Sequence, residues 1–381
     1  MRKVLTIFGT RPEAIKMAPL ILALQQDPFI DCRVAVTAQH REMLDQVLQL
    51  FKIAVHYDLN IMQTGQTLYD ISARALLGLR DVLEQEKPDL ALVHGDTSTT
   101  FIASLAAYYQ QIPVGHVEAG LRSGDKYSPF PEEMNRRLTA SLSDLHFAPT
   151  GTARANLLRE GLPDEKIFVT GNTVIDALLA MVKNDYVFTE PRLKALDFVA
   201  QRVIVVTTHR RENLGEPMRR MYQAMREIID EFPDVTIVFP VHKNPAVRSV
   251  VQEVLGDSPR VLLIEPLEYE PFANLLNQSY LVLTDSGGLQ EEAPALGIPV
   301  LVLRENTERP EAVEAGTVEL VGVEQDKIYS VTKKLLTDPG AYRKMAQAVN
   351  PYGDGRASAR IAAALHYHWG LRRERPQDFN S

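Results

Sequence analysis

Three acidic side chains follow short apolar segments or open a helix-like stretch, where residue type and spacing suit proton transfer. Asp96 follows LALVHG, Glu118 follows IPVGHV, and Glu132 follows the loop AGLRSGDKYSPFP. Each acid also has a simple structural interpretation, because Asp can cap a helix and Glu is favoured in a first helical turn. At the carboxyl ends of parallel strands, all three would converge where such a sheet binds its ligand, and could act as general acids or bases.

Cationic residues near two other strand ends are complementary to a phosphorylated ligand. Arg11 and Lys16 flank a helix start after KVLTIFGT, and a helix N-terminus beside cations can bind an anion. An ordinary surface arginine and lysine is the other interpretation of that pair. His209, Arg210 and Arg211 follow VIVVTT, an arrangement that suits a diphosphate.

Among single segments, the stretch LTDSGGLQEEAPALG gives the most specific indication of a ligand site. Ser286 and Gly287 precede a helix, so backbone N–H groups can approach a phosphate there, and Glu292 lies within reach of ribose hydroxyls. A plain glycine turn is the alternative. The chain has no GxGxxG or Walker pattern, and its histidines lack metal-ligand spacing, so we expect no nicotinamide, no other cofactor and no metal.

The elements that must position these residues alternate between short β-branched runs and longer helical patterns. This alternation predicts an α/β fold with two doubly wound domains. We expect a first domain over residues 1–172 that carries the acids and a second over 173–356. A helix and tail over 357–381 are expected to pack back on the first domain.

Composition restricts the class of protein. The chain has 381 residues, of which 45% are hydrophobic, and a net charge of -8, which argues against general affinity for nucleic acid or anionic membranes. Cys32 is the only cysteine, so no intramolecular disulfide forms, and we expect a cytoplasmic protein. The apolar run at Val4–Phe8 is too short for a secretion signal, and no run approaches the roughly 20 residues of a membrane helix.

Ten motifs, in order from about Val4 to Gly316, together resemble one family, the non-hydrolysing UDP-N-acetylglucosamine 2-epimerases. These are GTRPEAIKMAP, TAQHREMLDQ, HGDTSTT, GHVEAGLRS, PFPEEMNRR, GNTVID, THRREN, HKNP, TDSGGLQEEAP and TERPEAVEAGT. The resemblance implies the B-type glycosyltransferase fold, in which two Rossmann-like domains face a cleft, and a homodimer. It implies an isomerase that interconverts UDP-N-acetylglucosamine and UDP-N-acetylmannosamine for bacterial polysaccharide biosynthesis, with UDP bound by the second domain.

The resemblance also implies roles for individual residues. Acid-base catalysis would involve Asp96, Glu118 and Glu132, with His209 assisting at the diphosphate. The residues expected to bind the substrate are Arg11, Lys16, Ser286, Gly287 and Arg309 at the phosphates, Glu292 at the ribose and Phe272 near the uracil.

One difference from some family members and one match to others concern ligand contacts. Leu267 stands where a glutamine often contacts the uridine, which removes one polar contact. Gln39 and His40, with Arg210, match a possible allosteric site for a second substrate molecule. Glu42 and Gly65 differ from the glutamine and arginine found there in certain members, so activation by substrate stays open.

The implied reaction explains why such a site needs several acids. The C2 proton of the sugar is not acidic, but it becomes removable once the bond from C1 to UDP breaks and positive charge develops at C1. Elimination then gives a 2-acetamidoglucal and UDP, and reprotonation from the opposite face with return of UDP completes the inversion. This route needs carboxylates on two faces and stabilisation of the leaving diphosphate.

Three other functions remain open at the level of sequence. A hydrolysing epimerase would release N-acetylmannosamine and UDP, and a glycosyltransferase of the same fold would require an acceptor. A non-catalytic UDP-sugar sensor would bind without turnover. The sequence does not identify which acid serves which face, which polysaccharide uses the product, or whether the domains are open or closed.

Overall fold

The computed structural model describes residues 1–38 and 41–380, which divide into two compact units. The first unit contains Met1–Ala180 and the chain from Tyr352 onward, and the second is Met181–Pro351. The boundaries expected after residues 172 and 356 stay predictions.

The first unit is built on a parallel sheet of seven strands. Strands β1 to β7 are Arg2–Phe8, Ile30–Val36, Tyr57–Asp58, Leu90–His94, Val114–Val117, Leu145–Ala148 and Ile167–Val169. Helices α1 to α7 are Arg11–Gln25, Arg41–Leu50, Leu68–Glu86, Ser98–Tyr109, Glu132–Leu142, Gly151–Arg159 and Thr173–Met181. The strand order is β3-β2-β1-β4-β5-β6-β7, so the direction of winding reverses between β1 and β4.

Burial on both faces of this sheet explains its apolar strand sequences. All five residues of β4 are buried, as are the last five of β1. Strands of a parallel sheet covered by helices on both faces are nearly continuous hydrophobic runs, which is why these strands are recognisable from sequence. One core cluster packs Leu5 and Val93 of the sheet against Leu79 and Ala103 of α3 and α4.

The second unit repeats this plan with six parallel strands. Helix α8 is Pro191–Lys194, and strands β8 to β13 are Arg202–Thr207, Val235–Pro240, Val261–Ile264, Leu281–Thr284, Val300–Val302 and Val318–Leu320. Helices α9 to α15 are Glu216–Glu231, Pro245–Leu255, Tyr269–Asn277, Leu289–Ala295, Pro310–Glu314, Gln325–Thr337 and Pro339–Ala346. The order β10-β9-β8-β11-β12-β13 reverses between β8 and β11, so the prediction of two doubly wound units is confirmed.

The last helix, α16 (Ala357–His368), returns to the first unit as expected and packs against α1. The Asp176 carboxylate accepts the first N–H groups of this helix, from Ala357 at 3.1 Å and from Ser358 at 2.7 Å. At its other end, His366 Nε2 lies 2.7 Å from Asp27 Oδ2. The two bonds to Asp176 therefore fix the first turn of the returning helix.

None of the helices within residues 1–38 and 41–380 is long and apolar enough to span a membrane.

Candidate active site

Three of the predicted site residues meet at the switch point of the first sheet. Strand β4 pairs with β1 on one side and with β5 on the other, so their carboxyl ends are neighbours. Asp96 follows β4 after one intervening residue, Glu118 directly follows β5, and Lys16 lies on the helix that follows β1. A Cβ added at Gly95 would stand 3.8 Å from Glu118 Oε1, which places Glu118 beside the end of β4.

Glu118 is held in a buried polar environment. Its Oε2 forms an ion pair with Lys16 Nζ, accepts Asn172 Nδ2 at 2.9 Å and lies 3.9 Å from His94 Nε2. Its backbone φ is 63°, in the left-handed region that is rare for residues other than glycine. Such conformations cluster at functional sites, where the surrounding structure enforces them. Asn172 is a contact that the sequence interpretation did not single out.

His94 and two further histidines are buried in neutral form beside this site. Burial lowers the pKa of His94 to about 4, against the opposing effect of Glu118. Burial also lowers the pKa of His116 and of His146 to about 3. Within the described part of the chain, neither ring nitrogen of His94 has a hydrogen-bond partner. A neutral imidazole therefore faces Glu118 near neutral pH.

We expect these three histidines to make the fold sensitive to acid. An unfolded histidine titrates near 6.5, whereas the folded pKa values are about 4 and 3, so the unfolded state takes up protons first as pH falls. Their contribution to stability is complete above about pH 6.5 and decreases below it, by about 1.4 kcal/mol per pH unit for each histidine. Urea unfolding at several pH values between 7.5 and 5 measures this slope. His146→Gln should remove about a third of it, and an unchanged slope would contradict this account.

Asp96 is oriented by helix α5. Its Oδ2 accepts Arg136 Nε at 2.9 Å and the second guanidinium nitrogen, Nη2, at 2.6 Å. Asn135 Nδ2 donates to the Asp96 carbonyl oxygen at 2.9 Å. Two residues of α5 therefore hold the loop after β4, and the helix that begins with Glu132 is fixed next to Asp96.

Glu132 is the first residue of α5, as the sequence predicts, and one of its oxygens is unusual. Among the residues that the structure describes, its Oε2 is buried and has no hydrogen-bond partner. Buried polar atoms almost always have a partner, so a buried orphan oxygen in a native protein requires an explanation. A reacting group that exchanges a proton with this oxygen is one such explanation.

Glu133, rather than Glu132, fixes the loop that separates Glu118 from α5. Its fully buried carboxylate accepts Ser123 N at 3.0 Å and Gly124 N at 3.3 Å, and pairs with Arg137 Nε at 3.1 Å. Burial would raise the pKa of Glu133, but these hydrogen bonds and the positive charge of Arg136 outweigh it, so the pKa is lowered. The sequence interpretation missed this residue.

Replacing Glu133 by Ala should release this loop. Two backbone N–H groups would lose their acceptor, and the expected cost is about 2 kcal/mol in the free energy of unfolding. Hydrogen exchange followed by mass spectrometry should show faster exchange in the peptide that contains Ser123 and Gly124. Protection equal to that of the wild type would show that Glu133 does not hold the loop.

Glu13 is a second buried acid that the sequence interpretation missed. Its Oε2 accepts the backbone N–H groups of Gly9 at 3.1 Å and Thr10 at 2.8 Å, and its Oε1 accepts the Thr97 hydroxyl at 2.8 Å. Burial raises its pKa against the effect of these bonds. The spacing Thr10-x-x-Glu13 is that of a capping box, which is a signal present in the sequence.

Asp285 organises the corresponding switch point of the second unit. This carboxylate is fully buried at the end of β11 and accepts His209 N at 3.0 Å and Arg210 N at 2.9 Å from the loop after the neighbouring strand β8. His209 Nδ1 lies 3.3 Å from it. Burial would raise the pKa of Asp285, but the interactions with His209 and Arg210 outweigh it and lower the pKa.

The glycine turn after β11 leaves room for a ligand at one position. A Cβ added at Gly287 would meet nothing within 4 Å, whereas Ser286 N already donates to Thr284 Oγ1 at 2.9 Å. Glu292 Oε1 accepts the Tyr269 hydroxyl at 3.4 Å, and Phe272 lies half-buried on the helix that Tyr269 begins. Burial and the charge of Glu292 raise the pKa of Tyr269 well above its usual value, so it stays a hydrogen-bond donor.

Arg309 is held by contacts of both its side chain and its backbone. Its Nε forms an ion pair with the buried Glu291 carboxylate, and its backbone N–H donates to Thr307 Oγ1 at 3.1 Å. Arg11 begins α1 and is half-buried.

The remaining predicted positions concern regulation and metals. Gln39 and His40 lie outside the described residues, so the structure adds nothing on them, and only Arg210 of the possible allosteric site is described. Its Nε donates to the Asp285 carbonyl oxygen at 3.3 Å. No group of three or more His, Cys, Asp or Glu side chains within the described ranges is arranged to hold a metal ion.

Known proteins match this chain over nearly its whole length. A family model described as UDP-N-acetylglucosamine 2-epimerase matches residues 22–366. A relative from Bacillus subtilis (strain 168), named UDP-N-acetylglucosamine 2-epimerase, is 58% identical over 378 residues, which are 99% of this chain and 98% of the relative. A relative of the same name from Escherichia coli (strain K12) is 56% identical over 370 residues, covering 95% of this chain and 98% of its own.

A solved structure extends the likeness to the fold. The UDP-GlcNAc 2-epimerase from Neisseria meningitidis bound to UDP-GlcNAc matches with a TM-score of 0.85 at 54% identity, covering 95% of this chain and 99% of that chain. The resemblance inferred from ten motifs is thus confirmed over the length of the chain. This chain belongs to the UDP-N-acetylglucosamine 2-epimerase family.

Proposed function

We propose that this protein is an isomerase that reversibly converts UDP-N-acetylglucosamine into UDP-N-acetylmannosamine. The observation that carries the proposal is the placement of Glu118 and Asp96 at neighbouring strand ends, in a family whose relatives carry this activity as their name. A solved relative is described as bound to UDP-GlcNAc, which supports the choice of ligand.

The reaction proceeds by elimination and return of UDP. Cleavage of the bond from C1 to UDP lets a base remove the C2 proton, and the products of this step are a 2-acetamidoglucal and UDP. Proton delivery to the other face of C2 and return of UDP to C1 give the epimer. No atom is gained or lost overall, and because hydrogen leaves and returns to C2 as a proton, this route consumes no water and requires no redox step.

The acids of the first unit are proposed to transfer the protons. Glu118 is held by Lys16 and Asn172, so its orientation is set before substrate binds. Asp96 is oriented by Arg136 at 2.6 Å, and Glu132 carries an oxygen that has no partner within the described chain. Preorganised groups of this kind reduce the rearrangement needed during the reaction.

The residues of the second unit are proposed to bind the UDP part. His209 assists at the diphosphate, and Glu292, held by Tyr269 at 3.4 Å, binds the ribose hydroxyls. The remaining proposed contacts are the uracil at Phe272 and the phosphates at Ser286, Gly287 and Arg309, together with Arg11 and Lys16 of the first unit. Gln39, His40 and Arg210 are the residues proposed for a regulatory site.

We also propose that the protein is a cytoplasmic homodimer. Helices α3 and α4 pack on each other and expose Tyr69, Leu77, Tyr108 and Tyr109, whose side chains are 87%, 58%, 59% and 66% accessible. Exposed apolar side chains on neighbouring surface helices are a common feature of interfaces between subunits. Sedimentation velocity should give a mass of about twice 42.7 kDa, and a monomer would contradict the proposal.

Proton NMR of the purified protein with UDP-N-acetylglucosamine in deuterated water tests the reaction. We expect UDP-N-acetylmannosamine with deuterium at C2, because the removed proton exchanges with solvent before reprotonation. Free N-acetylmannosamine would instead identify a hydrolysing epimerase. An unchanged spectrum would contradict epimerisation and favour a transferase or a UDP-sugar sensor.

A further inference from the structure

The buried acid Glu13 connects two loops that both carry proposed site residues. Its Oε2 accepts hydrogen bonds from the backbone N–H groups of Gly9 and Thr10, in the loop between β1 and α1. Its Oε1 accepts the hydroxyls of Thr97 at 2.8 Å and Thr100 at 3.2 Å, at the start of α4. One carboxylate therefore links the ends of two neighbouring strands.

A capping role alone does not account for this arrangement. A capping box needs only the bond from Glu13 to the backbone N–H of its N-cap residue, which here is Thr10. The two threonine bonds run to a segment more than eighty positions away in the sequence, and the side chain is only 3% exposed. Burying a carboxyl group so deeply is costly unless hydrogen bonds compensate for the lost water, and the two threonine bonds are part of that compensation.

The two linked loops carry groups of opposite charge. Arg11 and Lys16 follow the first loop on α1, and Asp96 directly precedes Thr97. The loops also approach closely elsewhere, since a Cβ added at Gly9 would stand 2.6 Å from Thr99 Oγ1. The relative position of the cations and of the Asp96 carboxylate therefore depends on contacts that meet at Glu13.

We infer that Glu13 is a positioning residue that fixes Asp96 relative to Arg11 and Lys16 through its bonds to these two loops. The inference rests on the proposed function, because epimerisation is its main readout. Glu13 does not touch the reacting atoms; it acts through the loops that it joins.

Thr97→Val removes one of the two bonds between α4 and Glu13, together with the cap that accepts Thr100 N at 3.2 Å, while leaving the bonds to Gly9 and Thr10 intact. We expect kcat to fall about tenfold with UDP affinity changed by less than about twofold, because misplacement of a reacting group by even about 1 Å can cost 100-fold in rate. The matched control is Ser104→Ala, which removes another buried hydroxyl of α4 that donates to Thr100 O at 2.9 Å and does not touch Glu13. Equal effects of the two variants on kcat would overturn the inference.

Variants of Glu13 itself distinguish a role of its hydrogen bonds from a role of its negative charge. Glu13→Ala should lower kcat by about 100-fold, whereas Glu13→Gln should retain it within about threefold, because Gln can accept the two amides and donate to a threonine hydroxyl. In the Glu13→Ala background, Thr97→Val should lower kcat by less than about twofold, since the link is already broken. Independent, multiplying effects, or a Gln variant as slow as the Ala variant, would overturn the inference.

Measurements on the same samples keep the outcomes distinct. Thermal unfolding identifies any variant that is not folded at the assay temperature, and calorimetric titration with UDP gives the affinity without turnover. Absence of epimerisation by the wild type would overturn the proposed function. With an active wild type, the effect of Thr97→Val in the Glu13→Ala background decides the role of Glu13, because loss of the Thr97 cap on α4 would lower kcat equally with and without Glu13.

Discussion

Replacing Glu118 by Gln should lower kcat for epimerisation by about 1,000-fold while UDP affinity changes by less than about threefold. Gln keeps the shape of the side chain and can still accept a hydrogen bond from Asn172, but its amide can neither take up nor return a proton. General acid-base catalysis typically contributes about 100-fold to 10,000-fold, so the loss should fall in this range. Steady-state turnover in deuterated water, with calorimetric titration of UDP, measures both quantities.

The control for this variant is a second Lys–Glu pair of similar burial in the same unit. Glu86 Oε2 lies 2.9 Å from Lys3 Nζ, and its side chain is 10% exposed, compared with 9% for Glu118. Lys3 lies near the start of β1, away from the strand ends that carry the proposed acids. Glu86→Gln should therefore leave kcat nearly unchanged. Wild-type turnover in Glu118→Gln would rule out the proposed role of Glu118.

Of the substitutions proposed, Asp285→Ala should cause the largest loss of folding stability and the largest loss of UDP affinity. The N–H groups of His209 and Arg210 would lose an acceptor in a buried position, as would Asn213 Nδ2, which donates to Asp285 at 3.3 Å. Each buried group left without a partner costs about 1–3 kcal/mol, so we expect about 4 kcal/mol in the free energy of unfolding. UDP affinity should fall at least tenfold, because the loop that carries His209 loses its support.

Asp197→Ala is the matched control. Asp197 also accepts two backbone N–H groups, from Val199 at 2.9 Å and Ala200 at 3.0 Å, but it is exposed to solvent. Water can replace its carboxylate, so the expected cost is below about 1 kcal/mol. Urea unfolding of both variants gives the comparison. Similar losses for Asp197 and Asp285 would show that burial of the hydrogen bonds is not the source of the effect.

Sequence alone was sufficient to predict the architecture. Parallel strands covered on both faces are continuous apolar runs, and few other structures produce such runs. Strand β3 is an exception, because Tyr57–Asp58 has two residues, too few to give a hydrophobic pattern. The positions of Asp96 and Glu118 at strand ends followed from the same logic. The neighbours of these acids did not, since Asn172 and Arg136 approach them from helices and loops distant in sequence.

The adjacent acids Glu132 and Glu133 show what a sequence pattern leaves open. Successive residues of a helix point about 100° apart, so one of the two must turn away from the loop. Nothing in the sequence identifies which of the two bonds to the loop; in the structure Glu133 does. Glu13 differs, because its capping-box spacing is visible in the sequence; only its bond to Thr97 required coordinates.

The division of the first unit into two stretches of chain has a consequence for biosynthesis. The second unit, Met181–Pro351, is synthesised before α16, and at about 5–20 residues per second its synthesis takes roughly ten to thirty seconds. During that interval the surface of α1 that receives α16 stays uncovered on the nascent chain. We expect the first unit to finish folding only after α16 has left the ribosome, although most of its chain is made before the second unit.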